Sequence, residues 1–168
     1  GANTLLPSGR LRDAASQFTA EAHLTSLSLL ADAGFSACEY SHYHHLTDAE
    51  CERVRSGGGV LGVTPWSAHS WSPLPCDPTA LSGSSPAILE SIRKAGLLGV
   101  SVVVFHAQNA VGEGTEDARR DLQREALLGV LPSVSNAAIQ AEVTIAIENC
   151  SSRENLEFLI ETVSAADL

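Results

Sequence analysis

One short segment, residues 143–149, constrains the fold of this chain more than any other. Its sequence is VTIAIEN, so five strand-forming and mostly apolar residues run directly into Glu148 and Asn149. An apolar run of this kind predicts a strand that is buried on both faces, as in a parallel sheet. Glu148 would then lie in the cleft lined by the carboxyl ends of the strands, where α/β proteins place ligands and metals.

Strand-like and helix-like patterns alternate along the rest of the chain. We predict strands over about residues 2–6, 35–40, 60–69, 100–105 and 143–147. Apolar residues at helical spacing predict helices over about residues 19–33, 47–57, 85–98 and 115–131, a helical piece to residue 140, and a last helix after Ser151 or Ser152. This alternation predicts five parallel βα units in a single domain, residues 1–168.

Local signals mark where these helices begin and end. Thr47 and Glu50 have the spacing of a capping box, which predicts the start of the second helix. We expect that helix to end at the three glycines of residues 57–59. Pro86 is expected at the first position of the third helix, and Pro132 is expected to kink or end the fourth.

Two architectures accommodate five parallel units: an open doubly wound sheet, or part of a (βα)₈ barrel. The chain contains no GxGxxG and no GxxxxGK[ST] motif, so the glycine-rich phosphate loop of the common open-sheet folds is absent. With 168 residues the chain is also shorter than a closed eight-unit barrel, which needs roughly 200 to 250.

Charge and composition limit the classes of partner. Ten basic against twenty acidic residues give a net charge of −10, which argues against nucleic acid, because phosphate binding needs a basic surface. No apolar run has the ~20 residues of a membrane span. The four cysteines are far apart, which is typical of separate thiols in a reducing compartment. We therefore expect a cytoplasmic protein with a small-molecule substrate.

Polar side chains stand at the carboxyl ends of four predicted strands: Glu39, His69, His106 and Glu148. The carboxyl ends of parallel strands share one edge, so these side chains should converge. Two imidazoles and a carboxylate form a donor set for Mn²⁺ or Zn²⁺, with Mg²⁺ and Co²⁺ as alternatives. A metal there would polarise a carbonyl group or activate water.

Each candidate also has a plain structural interpretation. Glu148 could form an ion pair, His69 and His106 could be satisfied strand-end histidines, and Glu39 could cap the rim. Trp71 could form the wall of a substrate pocket, whereas Trp66 fits core packing equally well. His42, His44 and His45 have metal-binding side chains, but no local pattern directs their rings together, so we expect a solvated loop there.

Four segments, taken in order, resemble the xylose isomerase-like TIM-barrel superfamily, which includes sugar phosphate isomerases and epimerases and apurinic endonucleases. They are residues 34–40 (GFSACEY), 66–69 (WSAH), 98–106 (LGVSVVVFH) and 143–149 (VTIAIEN). Residues 3–6 are similar to the first strand of that family. The resemblance implies an incomplete TIM barrel that covers about five of eight strands.

The resemblance also implies roles for individual residues. Glu148 matches the metal-ligand glutamate of the fifth strand. His69 and His106 match the histidines of the third and fourth strands, which bind zinc in the endonuclease branch and more often contact substrate in the isomerase branch. Glu39 and Asn149 match further polar residues expected to contact substrate. The remaining ligands of the family come from strands six to eight, which have no counterpart here.

Together these observations favour a sugar isomerase or epimerase-like protein that uses a divalent metal for proton transfer next to the carbonyl of a sugar or sugar phosphate. Glu148 and His106 are the candidate catalytic residues, and His69, Glu39, Trp71 and Asn149 the candidate substrate contacts. We expect the chain to be truncated, inactive alone, and self-associating through exposed barrel edges. The alternatives are a non-catalytic half-barrel assembly module and a zinc-dependent endonuclease fragment. A glycoside hydrolase fits less well, because no second catalytic carboxylate is evident.

Overall fold

A computed structural model describes residues 2–4, 17–107, 114–148 and 152–166. One sheet contains β1 (Ala2–Asn3), β2 (Ala37–Ser41), β3 (Thr64–His69), β4 (Val102–His106) and β5 (Thr144–Glu148). The helices are α1 (Ala20–Asp32), α2 (Asp48–Leu61), α3 (Leu81–Leu98), α4 (Glu116–Ala141) and α5 (Arg153–Ala165), and 3₁₀ turns span Tyr43–His45 and Pro78–Ala80. Residues 5 and 6 of the predicted first strand lie outside the described residues.

All neighbouring strands are parallel, and they are hydrogen-bonded in the order β1-β2-β3-β4-β5. Strand–helix–strand connections of parallel strands are right-handed. Because the strand order does not reverse, each such connection places its helix on the same side of the sheet. A doubly wound sheet would instead reverse direction at a switch point. The structure therefore confirms five parallel βα units of the barrel type, arranged as an open sheet.

The two faces of the sheet differ in polarity because successive side chains of a strand point to opposite sides. The face toward the helices carries Cys38, Tyr40, Ala68, Val103 and Phe105, all buried. They share a core with apolar helix residues that include Leu27, Val54, Ile92, Leu98 and Leu127. The opposite face carries the polar strand residues together with Val102, Val104 and Ala146, and it is the face that a complete barrel would enclose.

The predicted starts of α1, α2, α4 and α5 are confirmed. Thr19, Thr115 and Ser152 each accept a hydrogen bond from a backbone N–H in the first turn of a helix. Thr47 and Glu50 form the capping box that opens α2. These caps position the helices relative to the strands that they follow.

The expected end of α2 at residues 57–59 is wrong, because the helix continues to Leu61 and is capped by Gly62 in the left-handed region, with φ of 70°. Two of the three glycines, Gly57 and Gly58, allow close tertiary packing instead. A Cβ atom at Gly57 would overlap the Leu24 side chain of α1, and one at Gly58 would lie 3.2 Å from the carbonyl oxygen of Val63. As a result β3 begins at Thr64, later than predicted.

Both prolines lie inside helices, so the expected helix start at Pro86 is wrong, and so is an end of the fourth helix at Pro132. The third helix begins at Leu81, so Pro86 is in its second turn. The carbonyl that Pro86 cannot bond belongs to Ser82, which is exposed and accessible to water. Pro132 is exposed within a continuous α4, whose opposite side is buried on both sides of the proline, at Leu127, Val130, Val134 and Ala138.

Cys38, Cys51 and Cys76 are free thiols, as predicted, and Cys150 lies outside the described residues. In the described part of the chain, no helix combines the length and the apolar character needed to cross a membrane.

Candidate metal and substrate site

Three successive strands deliver the central side chains of the site. His69, His106 and Glu148 are the last residues of β3, β4 and β5. His106 and Glu148 are register partners across β4 and β5. Strand ends that share an edge thus bring together residues that are 37 and 42 positions apart, as their places along the chain predicted.

The three side chains form one compact cluster. The Nε2 atoms of His69 and His106 are 2.9 Å apart. The Oε2 atom of Glu148 is 3.7 Å from Nε2 of His69 and 3.7 Å from Nδ1 of His106. The side chains of the three residues are 27%, 44% and 42% exposed, respectively, so a small ligand can reach them.

This cluster fits a divalent metal ion. One ligand atom from each of the three residues can be chosen so that all lie within 4.8 Å of one another, and no other such group occurs among the described residues. With metal–nitrogen bonds of about 2.0–2.1 Å, neighbouring ligand atoms of a tetrahedral site are roughly 3.3 Å apart. His106 faces His69 with Nε2 and Glu148 with Nδ1, and only one of these nitrogens can bind the ion, so the side chains would have to rotate to bring one ligand atom each to this separation.

A cavity of about 350 Å³ adjoins the cluster, within the usual range for small-molecule pockets. Its lining residues are Asn3, Ser41, His42, His69, Ser70, Trp71 and His106. Trp71, a predicted substrate contact, is 52% exposed at this cavity. Sequence reasoning missed Asn3, Ser41 and Ser70; the alternation of side chains along a strand could have identified Ser41, which lies two residues after Glu39 on the same face.

Packed rings, which we call the ring wall, lie at one side of the cavity: Phe18, His42, His44 and Trp71, of which His42 and Trp71 line it. The rings of Phe18 and His42 are parallel, with centroids 4.0 Å apart, and Trp71 lies 4.7 Å from His42 and 5.7 Å from His44. The solvated loop expected at His42, His44 and His45 is therefore wrong, because aromatic packing orders these rings. His42 has φ of 57°, an uncommon conformation for a non-glycine residue.

Glu39 lies away from the histidines. Its carboxylate accepts hydrogen bonds from Asn3 Nδ2 at 2.7 Å and from Ser67 Oγ at 3.1 Å. Glu39 lines a neighbouring pocket with Trp66, which is 61% exposed and is thus not a core residue. Its role as a substrate contact stays a prediction, and Asn149 lies outside the described residues.

Ionisable groups on the helix side of the sheet are held neutral. Burial raises the pKa of the Cys38 thiol to about 11 and also raises the pKa of the Tyr40 hydroxyl. Burial likewise raises the pKa of Tyr43, which follows the site residue His42. These groups are therefore part of the core. The side chains of the cluster that a ligand can reach are those of His69, His106 and Glu148.

No protein-family model and no curated protein sequence matches this chain. Solved structures do match. A 3-keto-D-glucoside 4-epimerase from E. coli superposes with a TM-score of 0.69 at 13% identity, covering 87% of this chain and 60% of that one. A xylose isomerase-like TIM barrel protein from Mycobacterium smegmatis, in complex with magnesium, has a TM-score of 0.67 at 15% identity, covering 99% and 60%.

A family 2 AP endonuclease from Brucella melitensis has a TM-score of 0.65 at 14% identity, covering 99% of this chain and 63% of that one. The chain thus spans less than two thirds of the length of each of these structures. Identities this low establish the fold alone. Over its described strands and helices, this chain has the fold of the xylose isomerase-like TIM-barrel proteins.

Proposed function

We propose that this chain supplies the divalent-metal site of a sugar isomerase or epimerase-type enzyme that moves a proton next to a carbonyl group. The observation that carries this proposal is the convergence of His69, His106 and Glu148 beside a cavity of small-molecule size. The matched structures include an epimerase of a keto-glucoside and a magnesium complex, which supports both the substrate class and the use of a metal.

The donor set supports the metal half of the proposal. His69, His106 and Glu148 would hold the ion through two neutral imidazoles and one carboxylate, a set that binds Zn²⁺ or Mn²⁺. When bound, the ion would polarise the carbonyl oxygen of the sugar and so acidify the neighbouring C–H group. Three protein ligands leave coordination positions for substrate oxygens.

The proton transfer that we propose involves two of the same residues, Glu148 and His106. A general base must lie within hydrogen-bond reach of the proton that it removes. Glu148 has a partly exposed carboxylate, and its Oε2 atom lies 3.7 Å from Nδ1 of His106, which lines the cavity. We assign Glu148 as the ligand or base at the reacting carbon and His106 as the group that orients the carboxylate and shares its proton.

The residues that line the cavity indicate whether the substrate carries a phosphate group. None of the described residues that line it is a lysine or an arginine. Because phosphate recognition usually relies on such cations, this lining favours a neutral sugar over a sugar phosphate. We propose that His69 and Trp71 contact the sugar, together with Glu39 and Asn149.

Metal binding provides the first test. Equilibrium dialysis followed by elemental analysis should find one Mn²⁺ or Zn²⁺ ion per chain, and Glu148→Gln should lose it. Glu52→Gln, which removes the same charge on the exposed face of α2, serves as the matched control and should retain the ion. A chain that binds no Mn²⁺, Zn²⁺, Mg²⁺ or Co²⁺ would refute the proposed site.

Chemistry provides the second test. The metal-loaded chain is incubated in D₂O with D-fructose, with D-tagatose and with fructose 6-phosphate, and NMR follows deuterium incorporation at the carbon next to the carbonyl. Because this chain spans less than two thirds of the matched structures, we expect only slow incorporation into the free sugars, and none with Glu148→Gln. Cleavage of abasic DNA without any exchange into sugars would support the endonuclease alternative, although the net charge of −10 opposes it.

The assembly module remains the second candidate, because within the described part of the chain β1 and β5 are the two edges of the sheet. Exposed strand edges can pair with another chain. Size-exclusion chromatography with light scattering, with and without Mn²⁺, separates the two functions. A tight dimer that binds no metal would support the module over the enzyme.

A further inference from the structure

The ring wall depends on a very short backbone segment. His42 and His44 lie at the 3₁₀ turn Tyr43–His45, which follows directly after β2. His42 occupies the left-handed region, which costs of order 1 kcal/mol or more for a non-glycine residue unless its surroundings impose it. Other parts of the fold must therefore hold this turn.

A hydrogen bond from a lysine of α3 holds the turn. Lys94 donates a hydrogen bond from Nζ to the carbonyl oxygen of His44 at 2.8 Å. Its side chain is only 12% exposed and also forms an ion pair with Glu90 at 3.6 Å. Burying an ammonium group is costly unless its hydrogen bonds are satisfied, so its place beneath the turn calls for a structural role.

Arg93, the residue before Lys94, forms its hydrogen bonds elsewhere. It donates them to Asp48 and to Glu90 at the surface. Lys94 alone of these two cations points inward. It therefore joins α3 to the segment that carries the rings of the cavity wall.

We propose that Lys94 is a positioning residue that holds the His42–His45 segment so that His42 and His44 pack against Trp71 and keep it at the cavity. Lys94 is itself neither a member of the metal-ligand cluster nor one of the residues that line the cavity. Its effect on the conformation of Trp71 is independent of catalysis, whereas its effect on sugar binding rests on the function proposed above.

The conformational effect is tested by fluorescence. Trp66→Phe leaves Trp71 as the single tryptophan. In that background Lys94→Met should shift the Trp71 emission to longer wavelength and raise its acrylamide quenching constant, because the stack on His44 loosens. Lys94→Arg, which retains the charge and the donors, should restore both values toward those of the parent. Arg93→Met, with the same loss of charge one residue away, should leave both unchanged.

Quenching that is the same in the parent and in Lys94→Met would overturn the proposal, and so would equal changes in Lys94→Met and Arg93→Met. If Lys94→Met does not fold, Lys94→Gln replaces it, because the shorter amide cannot span the distance to the His44 carbonyl. Circular dichroism and thermal unfolding establish that the compared variants are folded.

The effect of Lys94 on function is measured by comparing the change in KM with the change in kcat. With Mn²⁺ and D-fructose, Lys94→Met should raise KM about tenfold, which corresponds to ~1.4 kcal/mol, while kcat and the affinity for Mn²⁺ stay nearly constant. A fall in kcat or in Mn²⁺ affinity with unchanged KM would contradict the proposal that Lys94 acts by positioning the ring wall. If the chain acts on no sugar, the proposed function fails and the fluorescence comparison still decides the role of Lys94.

Discussion

His106 and Glu148 face each other across β4 and β5, with Nδ1 of the imidazole 3.7 Å from Oε2 of the carboxylate. They are register partners at the last position of each strand, and His69 reaches the same point from β3. Neighbouring strands of a parallel sheet therefore supply the three side chains of the cluster directly, without a long loop. A site built on strands is more rigid than one built on loops.

Coupling between these two residues is the first prediction. His106→Ala and Glu148→Gln should each weaken Mn²⁺ binding at least about tenfold, and the double variant should lose less than the sum of the two free energies, because both ligands serve one ion. Isothermal titration calorimetry measures the four affinities. His106→Ala combined with Glu52→Gln should be additive. Additivity within the His106–Glu148 pair would show that the two residues do not share an ion.

Two helical glycines should respond in opposite directions to alanine. A Cβ atom at Gly59 of α2 meets nothing within 4 Å, so Gly59→Ala should stabilise the fold by about 0.5–1 kcal/mol through helix propensity. A Cβ atom at Gly96 of α3 would lie 3.0 Å from both the Cβ atom and the carbonyl oxygen of Ala141. Gly96→Ala should therefore destabilise the fold by about 1 kcal/mol or more. Urea unfolding measures both, and equal stabilisation would show that α4 moves away freely.

Alkaline pH should destabilise the fold through its buried thiols. Burial raises the pKa of Cys38 and of Cys51 from 9.0 to about 11. Between these values the unfolded chain releases protons that the folded chain retains, so stability is fully present below pH 9 and falls as the pH rises through 11. Urea midpoints measured from pH 8 to pH 11 under reducing conditions should show this decline. The decline should be shallower in the double variant Cys38→Ala/Cys51→Ala, and an unchanged slope would contradict the assignment.

The capping box of α2 should contribute measurably to stability. Thr47 Oγ1 accepts a hydrogen bond from the Glu50 backbone N–H, and the Glu50 carboxylate accepts one from the Thr47 backbone N–H. Thr47→Ala should cost about 1 kcal/mol in the free energy of unfolding. Thr25→Ala on the exposed side of α1 provides the control and should cost less. Equal losses would show that the cap does not limit the stability of α2.

Much of the architecture could be predicted from local signals. The caps at Thr19, Thr47, Thr115 and Ser152 depend on residues within one turn of the helix. The strands before His106 and Glu148 depend on short apolar runs, which parallel sheets require. Because all parallel strands end at one edge, their terminal residues could be grouped before any coordinates were known.

The errors share a physical cause. Gly57, Pro86 and Pro132 carry local helix-breaking signals, yet each lies inside a helix. Packing of the helix against α1, or burial of its apolar side, outweighs those signals. Glu39 shows the same dependence on neighbours, because Asn3 of β1 and Ser67 of β3 hold its carboxylate away from the histidines.

The amino-acid sequence by itself determined the parallel βα units, four of the five helix starts and the three strand-end residues His69, His106 and Glu148, since each follows from spacing over a few positions. Only the tertiary structure decided the direction of strand order, the ring wall and the tie from Lys94 to His44. Those features depend on contacts between residues up to 50 positions apart, and the energy of such contacts is set by three-dimensional packing that no local pattern encodes.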